Sequence, residues 1–420
     1  MACLEYIHYK PHRPEVGPAG VVWVQEVSIL TVERLPQIYW ADGSPWSEAN
    51  LWALEAVRSR EVKLRTITGA MEHLHKYANW LECEGVDWRH FPKNKAERVL
   101  VRYRGTLVDE RDHGGLAPST TTARMRAVIR FYRYCAGRNF VSREAPKWQD
   151  KVVVVRYFDS AGFERTLQRV TADISIPNRA RHAVRLEDGL LPITSAHMLE
   201  LLHFTKNEVS TELHLMLMIG FFTGARLCTI TSLHVSALQQ AERDPNVYGM
   251  WVIPVGPGTG IMTKFDVSGN LLIPAELMVL LKEYSDSVRH TDRIIKAKKK
   301  NKRLLFLTRY GNRFSISTVE REMVTLRQTA LRAGLQFMQK FRFHQSRATY
   351  GTWLMTICLA KGNVKAAIEF VKGAMHHKNE ATTFGYIKFI EHTKAKIEVA
   401  NTFSEAFCGL ANRQGGSADA

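Results

Sequence analysis

Apolar residues recur at intervals of three and four along much of the chain. In residues 64–85, Ile67, Met71, Leu74 and Tyr77 follow this spacing, which places the four side chains on one face of a helix. The preceding sequence SEANLWALEAVRS has the same character. The pattern therefore predicts helical structure from about residue 47 to residue 85.

A second helical stretch is predicted at residues 119–137. Ser and Thr residues at its start can cap the helix, and Gly137 can end it. One side is apolar, whereas Arg126, Arg130 and Arg133 are spaced by four and three residues and form a basic stripe. Such a stripe can follow the phosphates of a nucleic acid, but the solvated face of an ordinary amphipathic helix explains it equally well.

The helical pattern is absent from two parts of the first half. The first 50 residues mix Pro, Gly and Trp without periodicity. Residues 151–170, KVVVVRYFDSAGFERTLQRV, predict a β-hairpin around Ser160, Ala161 and Gly162. The following stretch, 176–194, has the composition of an extended, basic linker, so we expect a domain boundary there.

Helices dominate again from residue 194. The sequences SAHMLELLHFTK, STELHLMLMIGFFTGARLCTITSLH and STVEREMVTLRQTALRAG have the helical pattern. Between the second and the third, YGMWVIPVGPGTGIMTKFDVSGNLLIP has two β-rich ends separated by turn residues. We therefore expect a mainly α, multidomain protein whose second half contains a small antiparallel sheet.

Composition narrows the class of function. Hydrophobic residues make up 45% of the 420 residues, which excludes a disordered chain and suffices for two or three domains. Lys and Arg number 58 against 41 Asp and Glu, and the net charge is +17. A surplus of this size favours a polyanionic partner, of which nucleic acid is the commonest. The low-complexity patches are a basic run, KAKKKNKR at 296–303, and the polar tail NRQGGSADA.

Cysteine usage and hydropathy bear on the compartment. The six cysteines form no CxxC pair, so neither a disulfide framework nor a zinc knuckle is indicated. The start has no signal-peptide pattern, and the longest apolar run, 215–222, is far shorter than the ~20 residues of a membrane span. We expect a soluble, cytoplasmic, nucleoid-associated protein without a membrane partner. The cysteines are Cys3, Cys83, Cys135, Cys228, Cys358 and Cys408.

Polar groups occur in the second half at places where a helical core would exclude them. One arginine follows FFTGA, a lysine lies in the predicted sheet, and a histidine and an arginine stand three residues apart in FHQSRATYGTWL. Two histidines follow the helix AAIEFVKGAM, and a tyrosine comes nine residues after the second. Each alone has a simple structural explanation. The residues are Arg226, Lys264, His344, Arg347, His376, His377 and Tyr386.

Together these residue types suit phosphoryl transfer in a DNA backbone without a metal or other cofactor. Two guanidinium groups can grip the nonbridging oxygens and stabilise a pentavalent transition state. Histidines can donate hydrogen bonds or move the proton of the attacking hydroxyl. A tyrosine can attack phosphorus and conserve the bond energy in a phosphotyrosine ester, and a lysine can protonate the departing sugar oxygen.

The order of these motifs resembles that of the tyrosine recombinases, the phage integrase family. Members carry an arginine in a TGxR stretch, here TGAR with Arg226, and a HxxR pair, here HQSR with His344 and Arg347. A second histidine follows in an LGH-like position, here MHH, and the nucleophilic tyrosine, here Tyr386, comes nine residues later.

Two further positions fit the family pattern. The Thr pair at 382 and 383 and the spacing to the tyrosine favour His377 over His376 as the second histidine, although either remains open. The family's catalytic lysine lies in a β-hairpin between the first arginine and the HxxR pair, which is the position of Lys264. The motifs cover residues 195–395, and the helical region 50–140 resembles the family's core-binding domain more weakly.

The resemblance implies a domain organisation. The catalytic domain is expected to be mixed α/β, and the helical core-binding domain to be SAM-like. The expected divisions are an N-terminal extension (1–50), the core-binding domain (51–142), a linker with the hairpin (143–190), the catalytic domain (191–400) and a tail (401–420).

The resemblance also implies an activity. Tyr386 would attack the scissile phosphate of duplex DNA to give a 3′-phosphotyrosyl link, Lys264 would be the general acid, and the remaining motif residues would hold the phosphate. A site-specific recombinase of a mobile element would act as a homotetramer on two paired sites through a Holliday junction. Accessory DNA-bending or directionality factors are left open.

The sequence departs from the family pattern at several points. Many relatives have an acidic residue three places after the first arginine, where this chain has Thr229. His376 replaces the glycine of LGH, and Arg347 and His377 are 30 positions apart, more than is common. The sequence QQAERDPNVYG looks inserted before Lys264, and the hairpin at 151–170 has no evident counterpart.

Three alternatives stay open on sequence alone. A type IB topoisomerase would share the chemistry but relax supercoils without pairing two sites. A catalytically idle DNA-binding accessory protein would keep the fold without the reaction. A zinc site formed by His344, His376 and His377 lacks nearby thiolates and a carboxylate at ligand spacing.

Overall fold

The chain folds into two compact units, Met1–His182 and Ala183–Ala420. The division falls inside the stretch 176–194 from which a linker is expected. The computed structural model describes residues 1–18, 20–26, 31–59, 62–158, 164–178, 186, 189–245 and 247–394. The predicted turn residues Ser160, Ala161 and Gly162, residues 179–185 of the linker, Cys408 and the tail lie outside the described residues.

The first unit combines helices with three antiparallel strand pairs. The helices are α1 (Ser47–Arg58), α2 (Leu64–Glu84), α3 (Val99–Asp112) and α4 (Pro118–Gly137). The strands are β1 (Cys3–Tyr9), β2 (His12–Gly17), β3 (Gly20–Gln25), β4 (Val32–Tyr39), β5 (Asp150–Phe158) and β6 (Glu164–Ala172). They pair as β1 with β4, β2 with β3 and β5 with β6.

The core of the first unit lies where the helical periodicity places it. Ile67, Met71, Leu74 and Tyr77 are all fully buried on α2, which packs along α4. The apolar side of α4 faces the same core, in which several aromatic rings contact one another. Burial of two matched apolar faces stabilises this helix pair at roughly 25 cal/mol per Å² of apolar surface.

The predicted cap of α4 is wrong. The helix begins at Pro118 with Ala117 at the N-cap, one residue before the Ser and Thr run. Proline suits the first helical position because its fixed φ is helical and its missing N–H would have no partner there. The Thr121 and Thr122 hydroxyls instead donate to the carbonyls of residues 117 and 118.

The N-terminal residues, for which periodicity predicted no element, contain four strands. Strand β4 buries Leu35 and Ile38 against the helices. The Asn50 side chain in α1 joins α1 to β4, because its amide accepts from the Ile38 N–H at 2.7 Å and donates to the Ile38 carbonyl at 3.0 Å.

The second unit is mixed α/β, as expected, and its strands β7, β8 and β9 form one antiparallel sheet. These are β7 (Glu242–Arg243), β8 (Met250–Val255) and β9 (Gly269–Pro274). The helices are α5 (Ser195–Glu208), α6 (Thr211–Thr223), α7 (Leu227–Ile230), α8 (Val235–Gln239), α9 (Ala275–Asp286), α10 (Val288–Lys296), α11 (Ile316–Arg332), α12 (Gln345–Ala360), α13 (Val364–Ala374) and α14 (380–394). The segment that looked inserted supplies β7.

Close packing of α6 against α12 determines where the polar motifs lie. A Cβ at Gly220 of α6 would lie 2.3 Å from Ser346 Oγ, so only glycine allows this approach. Gly224 ends α6 with φ +65° and faces the ring of Tyr350, where a Cβ would lie 2.4 Å from Cδ1. No helix among the described residues has the length and apolar character needed to cross a bilayer.

Candidate active site

Arg347 is the most buried charged side chain of the predicted set. It lies in the first turn of α12 and is 1% exposed. Its Nη1 donates to the Gly224 carbonyl and its Nη2 donates to the Met375 carbonyl at 2.6 Å. The guanidinium therefore joins the end of α6 to the turn after α13, which fixes its orientation. His344 lies at the N-cap of the same helix and is half-buried.

Arg226 occupies the N-cap of α7, two residues after the turn that ends α6. Its Nη1 donates to the His376 carbonyl at 3.4 Å, a long hydrogen bond. The residue three places on, Thr229, is buried and its N–H donates to the Arg226 carbonyl. The contact with the His376 carbonyl thus supports the Arg226 side chain, for which many relatives use a carboxylate. The Met375 and His376 carbonyls are consecutive in one turn, and each accepts a hydrogen bond from one of the two arginines.

The two histidines of MHH face different partners. His376 has φ +49°, the left-handed conformation that glycine adopts most easily, and it occupies the glycine position of the family motif. Its Nε2 lies 3.0 Å from the Asn270 carbonyl in β9. Burial lowers the pKa of His376, and the nearby charges of Arg347, Arg226 and His377 lower it further, which favours a neutral ring.

The ring of His377 faces the tyrosine. Its Nδ1 lies 2.8 Å from Thr383 Oγ1, which fixes one ring nitrogen. The imidazole stacks on the ring of Tyr386 with centroids 6.0 Å apart and planes 21° from parallel. Thr383 and Tyr386 are three residues apart on α14, so one helical turn holds the histidine and presents the phenol to it.

Tyr386 is fully buried and needs a glycine beside it. A Cβ at Gly351 of α12 would lie 2.6 Å from Tyr386 Cε1 and 2.8 Å from Met375 Cε. The missing side chain therefore makes room for the phenol between α12 and the Met375 turn. An isolated glycine inside a helical pattern is the sequence signal for such a close contact.

Lys264 lies on a different element from the arginines. It is exposed in a short 3-10 turn between β8 and β9, and its Nζ is 5.3 Å from the centroid of the Phe265 ring. Lys378, the residue after His377, lies 5.9 Å from the same centroid. Phe265 of the lysine hairpin therefore lies near Lys378 of the histidine turn, and strand β9 of the same hairpin contacts His376.

The structure thus gathers Arg226, Arg347, His377 and Tyr386 around the turn at 375–377, with His344 on the same helix as Arg347. Lys264 lies on an adjoining hairpin. Sequence reasoning did not find the carbonyls that hold the arginines, the Asn270 contact or the glycine beside the tyrosine. Among the described residues no group of three or more His, Cys, Asp and Glu side chains could hold a metal ion.

The predicted DNA-binding arginines lie in the first unit. Arg126, Arg130 and Arg133 are all exposed along α4. Arg133 also forms an ion pair with Asp150 at 2.9 Å and lies over the Trp148 ring, with the guanidinium carbon 5.9 Å from the ring centroid. An exposed pair of this kind contributes little to stability, so a phosphate could compete for this arginine.

Sequence and structure together define the class of protein. The model of the Phage integrase family matches residues 192–414, more than half of the chain. The chain belongs to this family, the tyrosine recombinases, and its fold class is the predicted one. A search of curated proteins found no match.

Solved structures of similar fold include two complexes of the Tn1549 transposon integrase. One contains a circular intermediate DNA; it is 14% identical with a TM-score of 0.52, and the match covers 81% of this chain and 94% of that chain. Another contains transposon right end DNA, with 14% identity, a TM-score of 0.51 and coverage of 84% and 99%. A lambda integrase dimer bound to a COC′ core site is 12% identical, with a TM-score of 0.48 and coverage of 81% and 94%.

Proposed function

We propose that this protein is a site-specific recombinase that cuts and rejoins duplex DNA through a 3′-phosphotyrosine intermediate. The observation that carries the proposal is the stacking of Tyr386 on His377 at the turn whose carbonyls accept hydrogen bonds from both arginines. A nucleophile, a proton-transfer group and two guanidinium groups then share one small volume.

The reaction is a pair of phosphoryl transfers. Tyr386 Oη transfers its proton to the His377 imidazole as it attacks the scissile phosphorus, and the bond from phosphorus to the 5′ oxygen breaks. Lys264 on the hairpin protonates that oxygen, which leaves as a 5′-hydroxyl. A 5′-hydroxyl of the partner duplex then gives its proton to Lys264 as it attacks the phosphotyrosine. The Tyr386 oxygen leaves, takes back its proton from His377, and the strand is resealed. The ester conserves the bond energy, so the transfers need no external energy source.

The arginines stabilise the negative charge that grows on the nonbridging oxygens. A guanidinium has five N–H donors, and two of those of Arg347 donate to backbone carbonyls. These two bonds orient the group before DNA arrives, which is what preorganised charge stabilisation requires. His344 and His377 complete the ring of donors around the phosphate.

The wider organisation follows from family membership. We propose that residues 51–142 form the core-binding part of the first unit and that Arg126 and Arg130 contact the phosphates of the duplex. The second unit would supply the chemistry. The partners would be duplex DNA and three further copies of the chain in a tetramer on two paired sites. A mobile element is the expected genetic context, as it is for the Tn1549 transposon integrase.

A covalent-trapping experiment tests the proposal. Wild type, Tyr386→Phe and Tyr350→Phe are incubated with nicked duplexes from the DNA flanking the gene, and adducts are resolved on a denaturing gel. Tyr350 is a matched control, because it is also buried in this cluster. Wild type and Tyr350→Phe should form the adduct, and Tyr386→Phe should not.

An adduct with Tyr386→Phe would show that another residue is the nucleophile. Plasmid relaxation by wild type without any strand exchange would replace the recombinase proposal by a topoisomerase. Tight, specific binding without an adduct would indicate an accessory protein.

A further inference from the structure

The basic run at 296–303 is a well-anchored loop. After α10 ends at Lys296, the N–H of Asn301 donates to the Lys298 carbonyl at 2.8 Å. Ala297 and Leu304 are buried in a small separate cluster with Leu307. All six cations of the run are exposed, and none forms a salt bridge with a described residue. They are Lys296, Lys298, Lys299, Lys300, Lys302 and Arg303.

Arg313 lies beside this loop in an unusual environment. It is half-buried, yet its guanidinium has no hydrogen bond and no carboxylate partner among the described residues. Gly311, two residues before Arg313, packs against the loop: a Cβ there would lie 2.5 Å from the Ala297 nitrogen, and Asn301 Nδ2 donates to the Gly311 carbonyl at 3.4 Å. Burial lowers the pKa of Arg313; Cys228 opposes this shift and the charge of Arg303 adds to it. A half-buried cation beside another cation costs free energy unless an anion binds there.

Arg303 also faces the glycine-rich loop that leads to Lys264. A Cβ at Gly260 would lie 3.7 Å from Arg303 Nη1 and 3.3 Å from His234 Nε2. Gly260 has φ +77°, so glycine is suited both by conformation and by space. The N–H of Val235 donates to the Arg303 carbonyl at 3.0 Å, which ties the basic run to α8. The arginine pair is therefore held by several elements of the second unit.

The pair lies near the catalytic elements without belonging to them. Cys228, two residues after Arg226 on α7, is among the neighbours of Arg313. A ligand on the arginine pair would therefore bind in the same unit as the candidate active site.

We propose that Arg303 and Arg313 bind one backbone phosphate of duplex DNA other than the cleaved one, and that Lys298, Lys299 and Lys300 continue this contact along the backbone. The proposal rests on the DNA-binding function proposed above. Guanidinium pairs match phosphate geometry, and lysines on an exposed loop suit a chain of phosphates. Because phosphates carry no base identity, the contact adds affinity for any sequence.

The test uses the full-length chain and two fluorescent duplexes of arbitrary, unrelated sequence. The binding constant is measured over a series of KCl concentrations for wild type and for Arg303→Gln/Arg313→Gln. Each phosphate contact contributes about 0.9 to the slope of log binding constant against log salt. The slope of the double variant should be smaller in magnitude than the wild-type slope by about 0.9. Adding Lys298→Gln, Lys299→Gln and Lys300→Gln should reduce the magnitude of the slope further.

A matched control is Lys206→Gln/Arg321→Gln, which removes two exposed cations from α5 and α11 of the same unit. It should leave the slope at the wild-type value. The melting temperature of each variant is measured alongside, and that of Arg313→Gln should not fall, because Arg313 has no polar partner among the described residues to lose.

Several outcomes would overturn the inference. One is a slope for the arginine variant equal to that of the control. Another is a loss of affinity confined to one DNA sequence, which would mean base readout. If wild type binds no duplex at any salt concentration, the proposed function itself fails, and this result is distinct from the other two.

Discussion

Both units bury tyrosines, and the surroundings of these tyrosines differ. In the first unit Tyr77 and Tyr132 are fully buried, and their hydroxyls lie 2.7 Å apart. The Tyr132 hydroxyl also donates to the Trp88 carbonyl. Burial among aromatic rings raises the pKa of both tyrosines well above the ordinary value. These phenols therefore stay neutral and serve the fold.

In the second unit Tyr386 is equally buried, in an apolar cluster with Tyr350 and Met375, but a histidine ring stacks on it. This ring is that of His377, which follows the turn contacted by Arg226 and Arg347. A phenol that must carry charge in a transition state is helped by cations and hindered by an apolar shell. The comparison teaches that burial alone does not distinguish a structural tyrosine from the proposed nucleophile, whereas the adjacent histidine ring does.

The largest expected effect comes from removing the charge of Arg347. Arg347→Ala should slow adduct formation by about 10²–10³-fold, the usual loss for one preorganised donor. It should also destabilise the second unit, because the Gly224 and Met375 carbonyls lose their donor. Arg347→Lys keeps the charge but cannot reproduce the two-carbonyl geometry, so it should be only partly active. Single-turnover trapping, at a temperature at which both variants are folded, measures their rates of adduct formation. Urea unfolding measures their stability.

The control for this prediction is Arg327→Ala. Arg327 also donates to a backbone carbonyl, that of Phe341 at 3.0 Å, but it belongs to α11. It should lose stability without a specific loss of adduct formation. Equal rates for the two alanine variants in folded protein would contradict the distinction drawn between the two tyrosine environments.

The next effect concerns the space for Tyr386, the proposed nucleophile. Gly351→Ala places a methyl group 2.6 Å from the Tyr386 ring, and overpacking of this kind costs about 1–3 kcal/mol. The ring must move away from His377, so adduct formation should slow. Gly373→Ala is the matched control, since a Cβ there meets nothing within 4 Å. The free energy of unfolding in urea and the rate of adduct formation are measured for both variants. Equal values for the two variants would mean that the Tyr386 ring can accommodate the added methyl group.

A smaller effect is expected in the first unit. Tyr132→Phe removes one hydroxyl from the Tyr77 and Trp88 network and should lower the free energy of unfolding by at least about 1 kcal/mol, because the buried Tyr77 hydroxyl and the Trp88 carbonyl lose their partner. Trapping of the folded variant should match wild type, because this tyrosine takes no part in chemistry. If folded Tyr132→Phe formed no adduct, the assignment of a purely structural role would be wrong.

The sequence predicted the helices well because periodicity reports burial directly. Each of Ile67, Met71, Leu74 and Tyr77 faces the core on the helix it specifies. The N-terminal strands were missed for the converse reason. Leu4 of β1 pairs with Ile38 of β4, and a pairing across such a separation leaves no local period in either segment.

Motif order predicted which residues gather at the candidate site but not how they are held. Arg347 depends on the carbonyls of Gly224 and Met375, and backbone carbonyls carry no signature in a sequence. The sequence does not distinguish the roles of the two adjacent histidines. The left-handed backbone at His376 directs the two rings to different partners. Lys264 matched a position in a hairpin, but its distance from the arginines depends on the tertiary fold.

The smallest effect is a pH dependence centred on His376. Its pKa is lowered in the folded state by burial and by the charges of Arg347, Arg226 and His377. The unfolded chain, with an ordinary pKa near about 6.5, then binds more protons in the interval between the two pKa values. The stability that the neutral ring contributes is therefore present above about pH 6.5 and is lost as pH falls through the folded pKa.

His376→Asn tests this linkage, because asparagine tolerates the left-handed conformation and does not titrate. Its free energy of unfolding should fall less than that of wild type between about pH 7.5 and pH 5, by about 1.4 kcal/mol for each unit of pKa difference. His73 and His214, whose pKa values burial also lowers, remain in both proteins and give a common background. If the free energies of unfolding of the two proteins changed with pH in parallel, His376 would have an ordinary pKa in the folded protein. Its ring would then not be held neutral between β9 and the turn beside Tyr386.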